Sequence, residues 1–358
     1  MGGKKSSLTD WPDNLKDVID WFLRVGEMDQ GGSGFGNQTK LPAAVKALVD
    51  YESIKEVLDP DSIAGTFGYV AEGLRVFIGY NPSGLHQLDG SGIGLDTVGK
   101  YASSYGNQAQ WNCASWNADS TEAKICASIF LGSMPILYFG LTYIYWKCTG
   151  NHGWQNQTLQ GGPDGYNLSN YMSYMEYDTG TLSNTIRGQK IATLLGTGRY
   201  AIYDFKEVSA SNSSTYPEFL KKLQEHGQPK LPNSAANAPM YALYTAASKY
   251  LQSKVKFSKI MDLPRTKSDI ANTLKGYREA VKALNPGSSQ KLSTAYLTLL
   301  SKIKDVFNEA PPASPSSSGV APVAGTLTTL GLRGGAAAAY LFNLGGAKTL
   351  VTNLLRIG

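Results

Sequence analysis

Apolar residues recur along this chain at helical spacing, and the recurrences are separated by stretches rich in Gly, Asn, Ser and Pro. In "TDWPDNLKDVIDWFLRV" Leu15, Val18, Ile19, Phe22 and Leu23 fall at i, i+3, i+4, i+7 and i+8, after capping candidates Thr9 and Asp10 and a proline. That spacing predicts an amphipathic helix. "LPAAVKALVDYESIKEVL" predicts a second, with Ala44, Val45, Leu48 and Val49 on one face. "DSIAGTFGYVAEGLRVFIGY" predicts a third through Ile63, Phe67, Val70, Leu74, Phe77 and Ile78. Residues 81–112 read as a long loop. Its "GSGIG" at 90–94 lacks the preceding strand and following capped helix that a nucleotide-binding turn needs. Helical spacing resumes in "SNTIRGQKIATLLG", "YPEFLKKLQEHG" and "APMYALYTAASKYLQSKV". Two further helices, through Ile270, Leu274, Tyr277, Val281 and Leu284 and through Leu292, Tyr296, Leu299, Ile303, Val306 and Phe307, flank "NPGSSQ" and predict an antiparallel hairpin. Their lysines read as a solvated face, with apolar stems and hydrated heads.

Two stretches break this pattern by being apolar all round. Between Lys124 and Lys147 lie 22 uncharged residues, enough for a helix to cross a bilayer, with Tyr143, Tyr145 and Trp146 crowded at one end. Pro135 stands in the middle, with Gly132 and Gly140 beside it, and serines, a threonine and tyrosines dilute the run. These interruptions favour a buried helix or hairpin wrapped by the amphipathic helices over a membrane span. The second stretch follows "EAPPASPSSSGVAPVAG", whose lack of bulky hydrophobes predicts an extended linker. Residues 325–347 beyond it are long enough to span a bilayer, and Gly331, Gly335 and Ala339 repeat at the spacing that lets two membrane helices pack closely. Arg333 lies within this segment, near enough to one end to snorkel.

The pattern thus predicts a mainly α fold. An irregular multi-helix body holds a kinked buried hydrophobic helix or hairpin, followed by a linker and a C-terminal hydrophobic helix. The divisions are 1–205, an N-terminal helical region with Gly-rich loops; 206–310, a helical region ending in the hairpin; 311–324, linker; 325–347, candidate transmembrane helix; and 348–358, a short tail.

Composition narrows the chemistry. The net charge is +5, with 10 basic against 16 acidic residues in 1–124 and 20 against 12 in 147–310. This mild surplus forms no basic run, so nucleic acid is not expected as a partner. Cys113, Cys126 and Cys148 match no zinc spacing, and His86, His152 and His226 are scattered. One disulfide with a leftover thiol, or three small buried hydrophobes, both fit. No hydrolase, kinase or metalloprotease motif assembles, and the carboxylate pairs Asp59/Asp61 and Glu176/Asp178 read as solvated turn residues. We therefore expect no catalysis, cofactor or metal. At the N-terminus no apolar signal core follows the basic residues, but the start fits a myristoylation pattern with Gly2 as acceptor and Lys4 and Lys5 as a basic supplement. Glycosylation sequons occur at Asn37, Asn156, Asn167 and Asn212.

"LTDWPDNLKDVIDWFLRV", "KICASIFLGSMPILYFGLTYIYWKC", "YPEFLKKLQ" and "PVAGTLTTLGLRGGAAAAYLFNLGGAKTLVTNLLRIG" resemble the variant erythrocyte surface antigen-1 family of piroplasm parasites. The resemblance implies an antigenically variable protein on the infected red cell, exported without a conventional signal peptide, with a role in adhesion to endothelium or immune evasion. It also implies a single membrane helix near the C-terminus, which falls here on residues 325–347, homo- or hetero-oligomers with family members, and an unidentified host receptor. Typical members are longer, with a cysteine-rich, coiled-coil ectodomain, so this reads as a short member; Arg333 stands where the anchor motif has glycine. The competing reading is a lipidated helical scaffold, an assembly partner on the inner membrane face, using Gly2 and the helical face at 267–309.

Overall fold

A computed structural model describes residues 4–26, 40–48, 60–78, 102–111, 116–149, 152–162, 167–196, 215–226, 239–255, 260, 267–284 and 289–308. Ten α-helices occupy them: α1 (Leu15–Val25), α2 (Lys40–Leu48), α3 (Pro60–Ile78), α4 (Thr121–Cys148), α5 (Leu168–Tyr174), α6 (Gly188–Gly196), α7 (Tyr216–His226), α8 (Pro239–Lys254), α9 (Lys267–Leu284) and α10 (Ser289–Asn308). A 3-10 turn spans Thr179–Thr181, and among the described residues only isolated β-bridges accompany the helices. The fold is mainly helical, as the spacing predicts.

The central apolar run forms one helix and not a hairpin. α4 continues through Pro135 for 28 residues, about 42 Å at 1.5 Å per residue. Ser120 caps its start by accepting from the Ala123 amide, with Glu122 in the first turn and Lys147 in the last, so both ends suit the helix dipole. Helices α1, α2, α6, α7, α8, α9 and α10 pack against it. Over its most apolar window 94% of the residues are buried. Helices from before and after residue 206 thereby share one hydrophobic core.

Glycine sets how closely these neighbours approach. A Cβ at Gly140 would stand 2.6 Å from Leu15 Cδ2 of α1, and one at Gly132 would stand 2.8 Å from Leu292 Cδ1 of α10. Aromatic rings fill the rest of the interface. Phe22 and Phe67 stack at 5.2 Å and both meet Phe130, while Tyr138 stacks on Tyr244 at 4.0 Å with the planes 1° apart.

Two sequence expectations shift locally. α1 begins at Leu15 and not beside Thr9, because Asn14 is extended and its side chain accepts from the Asp17 amide. Asp10 instead closes a separate turn, with Oδ2 accepting from the Ser6 and Ser7 amides at 2.8 and 2.9 Å. The polar side of α1, expected to face water, is covered along with the apolar side: all eleven residues of the helix are buried. The predicted C-terminal helix, its linker and its tail lie outside the described residues.

Candidate functional site

The question posed by α4 is whether it faces lipid, and the polar groups along it answer in terms of partners. A proline inside a helix removes one amide donor and leaves a carbonyl one turn earlier without its usual bond. Beside this gap Tyr277 Oη of α9 donates to the Gly132 carbonyl. Further along, Tyr216 Oη of α7 donates to Phe139 O at 3.3 Å and Tyr171 Oη of α5 to Gly140 O at 3.5 Å. Ser128 Oγ donates to the Lys124 carbonyl and lies 3.3 Å from that of Leu284 at the end of α9. Acyl chains supply no such donors; tyrosines on packed helices do. The crowded aromatics Tyr143 and Trp146 likewise meet protein rings, Trp154, Tyr171 and Tyr216 among them.

The other polar concentration joins α1 to the segment 102–111. Lys5 pairs with Tyr105 in a parallel bridge: the Lys5 amide donates to Ser104 O and the Gly106 amide donates to Lys5 O, both at 2.8 Å. Asp20, with no exposed surface, accepts from Lys16 Nζ at 2.6 Å and from the Ser104 amide at 2.8 Å. Lys16 Nζ also donates to Ala102 O and Ser104 Oγ. Arg24 donates to the Tyr105 carbonyl, and Tyr105 Oη donates back to the Asp10 carbonyl at 2.6 Å. The Lys5 ammonium lies 2.7 Å from Asp13 and 3.2 Å from Asp17. Burial by itself would lower its pKa; the hydrogen bond it donates to Asp13 and the charge of Asp17 outweigh burial and hold it above its ordinary value. The whole arrangement is a strap that covers α1, within which Lys5 pairs with Asp13 and Asp17 and Lys16 with Asp20.

The residues singled out by sequence are dispersed through this body. Cys126 is buried near the start of α4, its Sγ 3.7 Å from the Leu8 carbonyl. Cys148 is buried at the other end, packed where Gly188 passes Trp154. Both are free thiols, and about 33 Å of helix separates them, far beyond disulfide reach. Burial raises both thiol pKa values, against the lowering effect of Lys147 at Cys148, so neither resembles a reactive cysteine. Cys113, Gly2, Gly331, Gly335 and Ala339 lie outside the described residues. Lys5, counted as a basic supplement to lipidated Gly2, has its ammonium engaged by Asp13 and Asp17. Asn156 is exposed in a turn, whereas Asn167 is 5% exposed and caps α5 by accepting from the Asn170 amide. His152 stacks on Trp146 at 4.2 Å. Among the described residues no group of three His, Cys, Asp or Glu side chains is placed to hold a metal ion.

Sequence reasoning missed the strap and α5. Residues 102–111 carry no periodicity, and the only local sign is the run of polar and aromatic residues that pair with α1. α5 is seven residues long, and its cap, Asn167, was visible only as a sequon asparagine.

Residues 92–214 match the family model described as variant erythrocyte surface antigen-1. The matched stretch contains the strap, all of α4, and α5 and α6. Over that stretch the chain is similar to the variant erythrocyte surface antigen-1 family. No curated protein and no solved structure matches it.

Proposed function

We propose that this chain is an antigenically variable surface protein of the infected erythrocyte, with a role in adhesion or immune evasion and without catalysis. The observation that carries the proposal is the family match over residues 92–214, which contains the helix around which the body is built. Burial of α4 supports a body that folds in water, and it leaves residues 325–347 as the other run of spanning length in the sequence. In this reading that segment anchors the body, pairing with family members through Gly331, Gly335 and Ala339, while Lys348 and Arg356 stay in the cytosol.

Protease treatment of intact infected cells, probed with one antibody to α9–α10 and another to the C-terminal tail, tests the proposal. Loss of the α9–α10 epitope with survival of the tail epitope is expected. Protection of both epitopes would favour the inner-face scaffold, and Gly2→Ala releasing the protein from membranes would then identify its lipid as the anchor. Truncation after Ala324 is expected to free the protein; replacing Gly331 and Gly335 with leucine is expected to weaken self-association while leaving insertion intact.

A further inference from the structure

At the end of α5 the Glu176 amide donates to Ser173 O at 3.0 Å and the Tyr177 amide reaches back to Met172 O at 3.1 Å. This pair of bonds closes a helix by placing the intervening residue in the left-handed region, where glycine is usual. Here that residue is Glu176, at φ 69°. The turn lifts Tyr174 to the surface: at 45% exposure it is the most exposed large apolar or aromatic side chain among the described residues. Its two tyrosine neighbours point inward, Tyr171 at 0% and Tyr177 at 4%. Glu176 and Asp178 follow Tyr174 by two and four positions, both exposed, and no Lys or Arg occurs from 167 to 186. Across the gap Lys302 of α10 holds its ammonium 3.8 Å from the centre of the Tyr174 ring.

We propose that Tyr174 is a phosphorylation site and that Lys302 is its built-in receiver. Tyr174 Oη attacks the γ-phosphorus of ATP held by a tyrosine kinase with a basic substrate groove. A new O–P bond forms, the bond from that phosphorus to the bridging oxygen breaks, ADP leaves, and the phenolic proton passes to the kinase's base. The phosphate then carries nearly two negative charges one side-chain rotation from the Lys302 ammonium, replacing a cation–π contact with a charge-assisted hydrogen bond. The modification ties the end of α5 to α10, the last described helix before residues 311–324.

Two measurements on the full chain test this. Folded protein is incubated with ATP and an erythrocyte-membrane kinase extract, and the modified residue is located by mass spectrometry. In parallel, phosphotyrosine is installed genetically at position 174 and the thermal midpoint is recorded with Lys302 and with Lys302→Met. Phosphate at Tyr174 but not at Tyr171 or Tyr177 is expected, with a midpoint raised by about 2–4 °C that Lys302→Met abolishes. Absence of label, label favouring Tyr171 or Tyr177, or a midpoint indifferent to Lys302 would overturn the proposal.

Discussion

Asp20 has no exposed surface, and its carboxylate tolerates this because one oxygen receives both the Lys16 ammonium and the Ser104 amide. Removing one partner of such a buried pair leaves a desolvated charge behind, at a cost of roughly 3–5 kcal/mol, while replacing both by apolar groups is often close to neutral. Lys16→Met is therefore expected to lower the denaturation free energy by that amount, and Lys16→Met with Asp20→Leu to recover much of it; urea titration of the three proteins checks this. Glu176 offers a test of opposite sign. A glutamate at φ 69° carries the left-handed penalty that glycine escapes. Glu176→Gly is expected to stabilise the protein by about 0.5–1 kcal/mol, net of the extra entropy of glycine in the unfolded chain, which a shift of the urea midpoint would show.

At the scale of elements, α4 decides the packing, and its glycines rank its contacts. A Cβ at Gly132 or Gly140 meets the far ends of leucine side chains, which can move, whereas one at Gly188 of α6 meets the Trp154 carbonyl of the backbone. Gly188→Ala is expected to destabilise by at least about 1–3 kcal/mol, the usual range for an overpacked core, and by more than Gly132→Ala. Thermal unfolding of both variants measures the order. Leu137 is fully buried in α4, so Leu137→Asp is expected to cost more than about 3 kcal/mol or to prevent folding.

Most elements were legible because a buried face must repeat every 3.6 residues: Leu274, Tyr277, Val281 and Leu284 of α9, and Leu292, Tyr296, Leu299 and Ile303 of α10, are buried as spaced. α4 was harder to read, since uniform apolarity is shared by core and membrane helices; only Pro135 and the polar dilution tipped the balance. What no local pattern contained was the strap. A polar helix face reads as solvent-facing, and its burial depends on residues about 85 positions away supplying Ser104 and Tyr105. For the same reason the candidate surface was legible as a family resemblance but not as geometry: Glu176 in the left-handed region and Tyr174 beneath Lys302 depend on chain closure and a distant helix.

For the whole molecule, burial of acidic protons predicts a weakness at alkaline pH. Burial pushes the Tyr145 hydroxyl up to about 12, raises Tyr105 with help from Asp17 and its neighbours, and raises Tyr277 and the two α4 thiols. All of these keep their protons in the folded state after the unfolded chain has begun to lose them, near pH 9 for cysteine and 10 for tyrosine. Stability is thus complete below those values and falls as pH rises through them. The Lys5 ammonium, also raised, adds stability that is present below its unfolded pKa and is lost in the same direction. Urea midpoints are expected to decline from about pH 9 upward, with a shallower decline in Tyr277→Phe.

The central claim is that α4 is the interior of the helical body and not a bilayer span. Its most direct measurement is hydrogen exchange on residues 4–308 prepared without detergent. The account predicts a soluble, monodisperse fragment in which the amides of α4 are the slowest to exchange, with those of α8 and α10 next, because α4 opens only when its surrounding helices come away. A fragment that enters membranes and resists carbonate extraction, or one in which α4 exchanges before the helices packed on it, would contradict the account.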